Sequence, residues 1–178
     1  QHHHTIESKI VHFDCGRTRF FALDTPGYPD LIGQTIGALH AVDSAAIVLD
    51  AHTGILPNTR RVFETAKALG LGRIIIVNKL DQENGSFAAL LNSIREAFGP
   101  ECLPLTVPLG LGVKFHGVAN LLQPQGDLKD AALNVEEWGQ TLLDSLVETD
   151  DEVLERYLEG HRPSADELRM LWSRAVRS

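Results

Sequence analysis

Apolar residues recur along this chain in two rhythms, one of period two and one close to three and a half, and their order predicts the architecture. Residues 6–13 and 20–23 read as two strands joined by the turn Asp14-Cys15-Gly16-Arg17. Residues 32–40 place Ile32, Ile36 and Leu39 at helical spacing. Ala45-Ala46-Ile47-Val48-Leu49 is a continuous apolar run ending at Asp50, as expected of a strand buried on both faces. A helix over 59–69 stops at Gly70, and Arg73 leads into the β-branched run Ile74-Ile75-Ile76-Val77. Ser86 should cap a helix reaching Phe98, and residues 103–107 read as a strand ended by Pro108.

Strands alternating with helices of this length predict a doubly wound α/β sheet. The alternation breaks near Gly110. Beyond it come a short apolar piece at 113–122, a loop rich in Gln, Pro and Gly, and two amphipathic helices near 136–158 and 164–176. Ser164 followed by Glu167 has the spacing of a capping box for the second.

The 178 residues are 43% hydrophobic, enough for a real core, and the formal charge of −8 argues against a broad basic surface for nucleic-acid backbones. A ribosome partner stays open, because other parts of a larger protein could make those contacts. Cys15 and Cys102 lack metal spacing and are expected to be core or edge residues in a reduced cytoplasm. No secretory leader is evident, nor an apolar run of about 18 residues, so no membrane role is expected. His2-His3-His4 reads as a tag remnant, native sequence or, least favoured, a metal site, since consecutive histidines in an extended segment point to different sides.

Two motifs carry chemistry. Asp24-Thr25-Pro26-Gly27 closes one apolar run and Asn78-Lys79-Leu80-Asp81 closes another. Ligands of open α/β sheets bind where loops leave the carboxyl ends of strands, and both motifs stand at such ends. Asp24 is suited to hold a water on Mg²⁺, and Gly27, lacking Cβ, allows close approach of a γ-phosphate to its N–H. Asp81 can accept from the two guanine hydrogens that adenine does not offer, a source of strong discrimination. Asn78 would tie neighbouring loops together and the Lys79 stem would lie over the base. Each motif alone is also an ordinary turn or cap. In this order, each after a buried strand and with one strand–helix unit between, they point to a guanine-nucleotide fold.

With those residues in view, the chain resembles the GTP-binding domain of translational GTPases, most closely elongation factor G. Thr5-Ile6, 19 residues before Asp24, matches the switch I Thr-Ile whose Thr ligates Mg²⁺; Gly54-Ile55, Pro108-Leu109-Gly110, Phe115-His116-Gly117-Val118 and Glu155-Arg156-Tyr157-Leu158-Glu159-Gly160 also fit. The resemblance covers essentially the whole chain. It implies an α/β, P-loop NTPase-type, three-layer G domain with a mostly parallel sheet and a helical inserted subdomain. Residues 1–109 would be a partial GTP-binding core and 110–178 the insertion, which in this family faces the stalk protein of the large ribosomal subunit. The implied ligands are GTP or GDP with Mg²⁺, the implied partners the ribosome and the rest of its own polypeptide, and the implied activity ribosome-dependent GTP hydrolysis driving translocation.

Two departures stand out. The family's usual Asp-Thr-Pro-Gly-His is here Asp-Thr-Pro-Gly-Tyr, so Tyr28 takes the water-orienting position; its phenol, of ordinary pKa about 10, cannot imitate a histidine cation. The family's Arg-Gly-Ile-Thr-Ile aligns with His2-His3-His4-Thr5-Ile6, which makes the histidines native switch residues. No Gly-x-x-x-x-Gly-Lys-Ser/Thr loop occurs. The expectation is therefore a segment of a longer polypeptide, inactive by itself, whose sheet lacks the central strand leading into that loop and leaves an apolar face open. A non-catalytic docking module is the alternative, and ribosomal protection or release factors are further members with similar nucleotide domains. A dinucleotide oxidoreductase fits poorly, because no Gly-x-Gly-x-x-Gly follows a strand.

Overall fold

The computed structural model describes residues 5–82 and 85–176, so the expectations placed on His2, His3 and His4 lie outside the described residues. The strands are β1 (Lys9–Cys15), β2 (Thr18–Asp24), β3 (Ser44–Asp50), β4 (Gly72–Asn78), β5 (Thr106–Leu109) and β6 (Gly117–Asn120). The helices are α1 (Ile32–Leu39), α2 (Pro57–Ala68), α3 (Phe87–Phe98), α4 (Val135–Val147), α5 (Asp151–Leu158) and α6 (Ala165–Ala175), with 3-10 turns at Pro29–Leu31 and Gly112–Lys114. By packing, the chain forms two units: Gln1–Ile47 with Pro57–Ile74, and Val48–Leu56 with Ile75–Ser178. These units follow packing, whereas the division expected at residue 109 follows the order of motifs.

In the first unit, β1 and β2 are antiparallel, as a tight connection requires, with Gly16 at φ +61° in the turn. Their register sets Phe13 opposite Phe20, rings stacked at 5.2 Å, on one face, and Ile10 opposite Leu23 on the other. Both faces stay open: Ile10 is 72% exposed on one and Phe13 54% on the other. The core of this unit lies instead where Leu39, Ala45, Ala66 and Leu71 meet, joining α1 and α2 to the start of β3.

In the second unit, Val107, Ala119, Leu121, Leu142, Leu146, Val147, Val153 and Leu171 form one buried cluster, so the β5–β6 hairpin and α4–α6 share a core. Gly139 permits α4 to approach this hairpin's exit, since a Cβ there would come within 2.6 Å of the Leu121 carbonyl oxygen.

Three expectations change. The helix predicted over 136–158 is two helices, because Asp150 accepts the Val153 N–H at 3.1 Å and starts α5 afresh, and Arg174 of α6 pairs with the same carboxylate. Pro108 does not end its strand: it lies inside β5 opposite Val118, while its carbonyl accepts from the Ala132 N–H at 3.0 Å. β3 is buried on one face only, Ala45, Ile47 and Leu49 being covered and Val48 being 59% exposed. Among the described residues β1 pairs with β2, β3 with β4 and β5 with β6, the first and last of these pairs antiparallel. The Ser86 cap and the Ser164–Glu167 capping box are both present.

Candidate functional site

The motif residues fall into two clusters, one in each unit. In the first unit, Asp24 is the last residue of β2, where the strand delivers its carboxylate at the sheet's end. The Thr5 hydroxyl donates to Asp24 Oδ2 at 3.1 Å, so two residues 19 apart in sequence meet. Gln34, in the first turn of α1, clamps the segment that carries Thr5. Its Oε1 accepts the Ser8 N–H at 3.0 Å and its Nε2 donates to the Ile6 carbonyl at 3.1 Å.

The loop after Asp24 is pinned from α1 as well: Thr35 Oγ1 donates to the carbonyl of buried Pro26 at 3.0 Å. Gly27 is exposed, and a Cβ added there would meet nothing within 4 Å, so packing within the chain does not demand glycine at this position. Tyr28 is 49% exposed and precedes the Pro29–Leu31 turn, its carbonyl accepting the Leu31 N–H at 3.0 Å. The hydroxyl and carboxylate oxygens of Thr5 and Asp24 are hard donors at an open surface. They suit a cation such as Mg²⁺ that takes few protein ligands and keeps its waters. No group of three or more His, Cys, Asp or Glu side chains able to hold a metal occurs among the described residues.

In the second unit, the exits of β3 and β4 are joined. The Ala51 N–H donates to the Asn78 carbonyl at 2.9 Å. Asp50, which ends β3, spreads its carboxylate over two tasks: Oδ1 accepts the His52 and Thr53 N–H groups at 2.9 and 3.1 Å, and Oδ2 accepts Lys79 Nζ at 2.7 Å. The Lys79 hydrogen bond, followed by that from the Thr53 N–H, holds the Asp50 carboxyl at about 2, and Asp50 in turn raises the Lys79 ammonium. The Asn78 side-chain oxygen accepts the Lys79 N–H at 2.9 Å. Asp81 is exposed, and its charge adds to the field that raises Lys79.

Asn78 thus ends β4 with Lys79 and Asp81 in the short loop that follows, and Thr5 and Asp24 meet at the end of β2. Sequence reasoning missed Asp50 as a site residue. Its signal was available, since it ends an apolar run of the sequence just as Asp24 does. Gln34 and Thr35 were missed because nothing in helical periodicity marks a side chain that reaches back to a loop.

The elongation factor Tu GTP-binding domain model matches residues 1–165. An elongation factor G of Dinoroseobacter shibae is 30% identical over 174 residues, which is 89% of this chain and 25% of that protein. One of Cereibacter sphaeroides is 32% identical over 169 residues, 86% of this chain and 24% of that protein. A crystal structure of a protein from Thermus thermophilus superimposes with a TM-score of 0.83 and 33% identity, over 98% of this chain and 28% of that one. The chain spans about a quarter of the length of the curated relatives it matches. It belongs to the elongation factor Tu GTP-binding domain family, with the α/β G-domain fold of a translational GTPase of elongation factor G type.

Proposed function

We propose that this chain is the nucleotide-binding part of a ribosome-dependent GTPase that binds and hydrolyses GTP to drive translocation in the cytoplasm. In this reading Asn78, Lys79 and Asp81 read guanine, Gly27 offers its N–H to the γ-phosphate, and Thr5 and Asp24 hold Mg²⁺, Asp24 through a water. Bound there, Mg²⁺ supplies charge neutralisation for the phosphate oxygens. Tyr28 stands at the water-orienting position, where a neutral phenol can offer a hydrogen bond and no positive charge. The observation that carries the reading is the meeting of Thr5 and Asp24 at 3.1 Å, because the motif pattern assigns those two residues, far apart in sequence, to one metal.

The ribosomal stalk protein is the partner we assign to residues 110–178. An open depression of about 910 Å³ there, lined by Leu121, Leu128 and Leu143 together with Lys129, Glu136 and Arg162, offers a mixed polar and apolar surface on which such a contact could form. Tyr28 in place of histidine favours a second reading, a docking module that binds nucleotide without hydrolysing it.

The test is Asp81→Asn in the full natural polypeptide carrying this sequence. Preference in a fluorescent-nucleotide titration should move from guanine toward xanthine diphosphate, and unchanged guanine selectivity defeats the base-reading assignment. Ribosome-stimulated phosphate release by the unaltered protein separates the two readings, the docking module giving none.

A further inference from the structure

The structure assigns to Asp50 the part of a positioning residue for base recognition: its carboxylate, fixed by its own loop, anchors the Lys79 ammonium and so holds the Asn78–Asp81 loop in shape. This rests on the reading of that loop as the guanine reader. The anchor is rigid before Lys79 reaches it. Two N–H groups, from His52 and Thr53, hold Oδ1, and the Asp50 carbonyl accepts the Gly54 N–H at 2.8 Å.

Lys79 needs such an anchor. At φ +60° it is the one non-glycine residue in the left-handed region among the described residues, a conformation that strains any residue with a Cβ. Contacts from outside must over-determine it. Two do: its N–H on Asn78 Oδ1 and its ammonium on Asp50 Oδ2. The following residues are tied too, the Gln82 N–H to the Lys79 carbonyl at 3.0 Å and the Gly112 N–H to the Leu80 carbonyl at 2.8 Å. Asp81 is therefore flanked by three fixed points, and Asp50 supplies the anchor that comes from β3. A base-reading loop whose backbone is held in advance binds at a smaller ordering cost.

The pair is half exposed, 51% for the Lys79 side chain and 29% for that of Asp50, so it contributes little to overall stability. Its effect should appear in recognition instead. Asp50→Asn keeps an oxygen for the His52 and Thr53 N–H groups and removes the charge that holds Lys79. In the full natural polypeptide, we expect GDP affinity to fall about threefold to tenfold. The ratio of GDP to inosine diphosphate affinity should fall with it, because inosine lacks the amino group that Asp81 reads. Melting temperature should hold, and the effect should vanish in a Lys79→Gln background. Unchanged GDP and inosine diphosphate affinities overturn the proposal, as do equal losses for both accompanied by a lower melting temperature. Failure of the unaltered protein to bind GDP removes the base-reading assignment itself, and is seen before any variant is made.

Discussion

Gln34 offers the sharpest handle on how this chain presents the residues proposed to hold Mg²⁺. Gln34→Ala deletes the acceptor for the Ser8 N–H, at 3.0 Å, and the donor to the Ile6 carbonyl, at 3.1 Å. A third contact, from Ser8 Oγ at 3.4 Å, is too long to add much. Two neutral hydrogen bonds contribute about 0.5–1.5 kcal/mol each, and surface exposure favours the lower half of that range. The segment carrying Thr5 should therefore open more easily by about 1–2 kcal/mol, roughly a 5- to 30-fold change in its opening equilibrium. Amide hydrogen exchange at Ser8 reads this directly and should accelerate by that factor. Because Thr5 reaches Asp24 from the same segment, the Mg²⁺ concentration needed for half-maximal binding of a fluorescent GTP analogue should rise by up to the same factor. Unaltered exchange at Ser8 would show that the clamp does not restrain the segment. Faster exchange with an unmoved Mg²⁺ midpoint would show that Thr5 is not a metal ligand.

Two further predictions concern stability. Leu171 is fully buried in the second unit's core, and Leu171→Ala should cost about 3 kcal/mol in urea unfolding; a loss under about 1 kcal/mol would mean that α6 is not integral to that core. Glu167 is held at about 2 against an ordinary 4.5, first by the Ser164 N–H and then by Arg156. Its folded value lies below its unfolded one, so its contribution is fully present above about pH 4.5 and is lost as pH falls toward 2. Melting temperature should decline more steeply with acid in the unaltered protein than in Glu167→Gln, and parallel declines would contradict the assignment.

Local signals were legible and long-range ones were not. Ser86 and the Ser164–Glu167 pair cap helices through bonds spanning three residues, so sequence alone could place them. Asp24 and Asn78 could be placed because each ends an apolar run. One local signal was masked: the Asp150 cap also spans three residues, but apolar spacing continues from α4 into α5 and covers the restart. β3 looked fully buried because Ala46 and Val48 are apolar, yet composition does not tell which face has a partner. The Asp50–Lys79 pair joins residues 29 apart through side chains, and no periodicity encodes such a meeting.

The two packed units trade segments within the strands themselves, the changes falling at Ile47–Val48 and Ile74–Ile75 as well as at Leu56–Pro57. Domains usually part at exposed linkers, where few contacts cross. Here no single cut of the polypeptide releases either unit whole, and two of the three crossings run through β3 and β4. A cassette cut at any one of these crossings would carry part of the other unit with it, and two of the cuts would sever a strand.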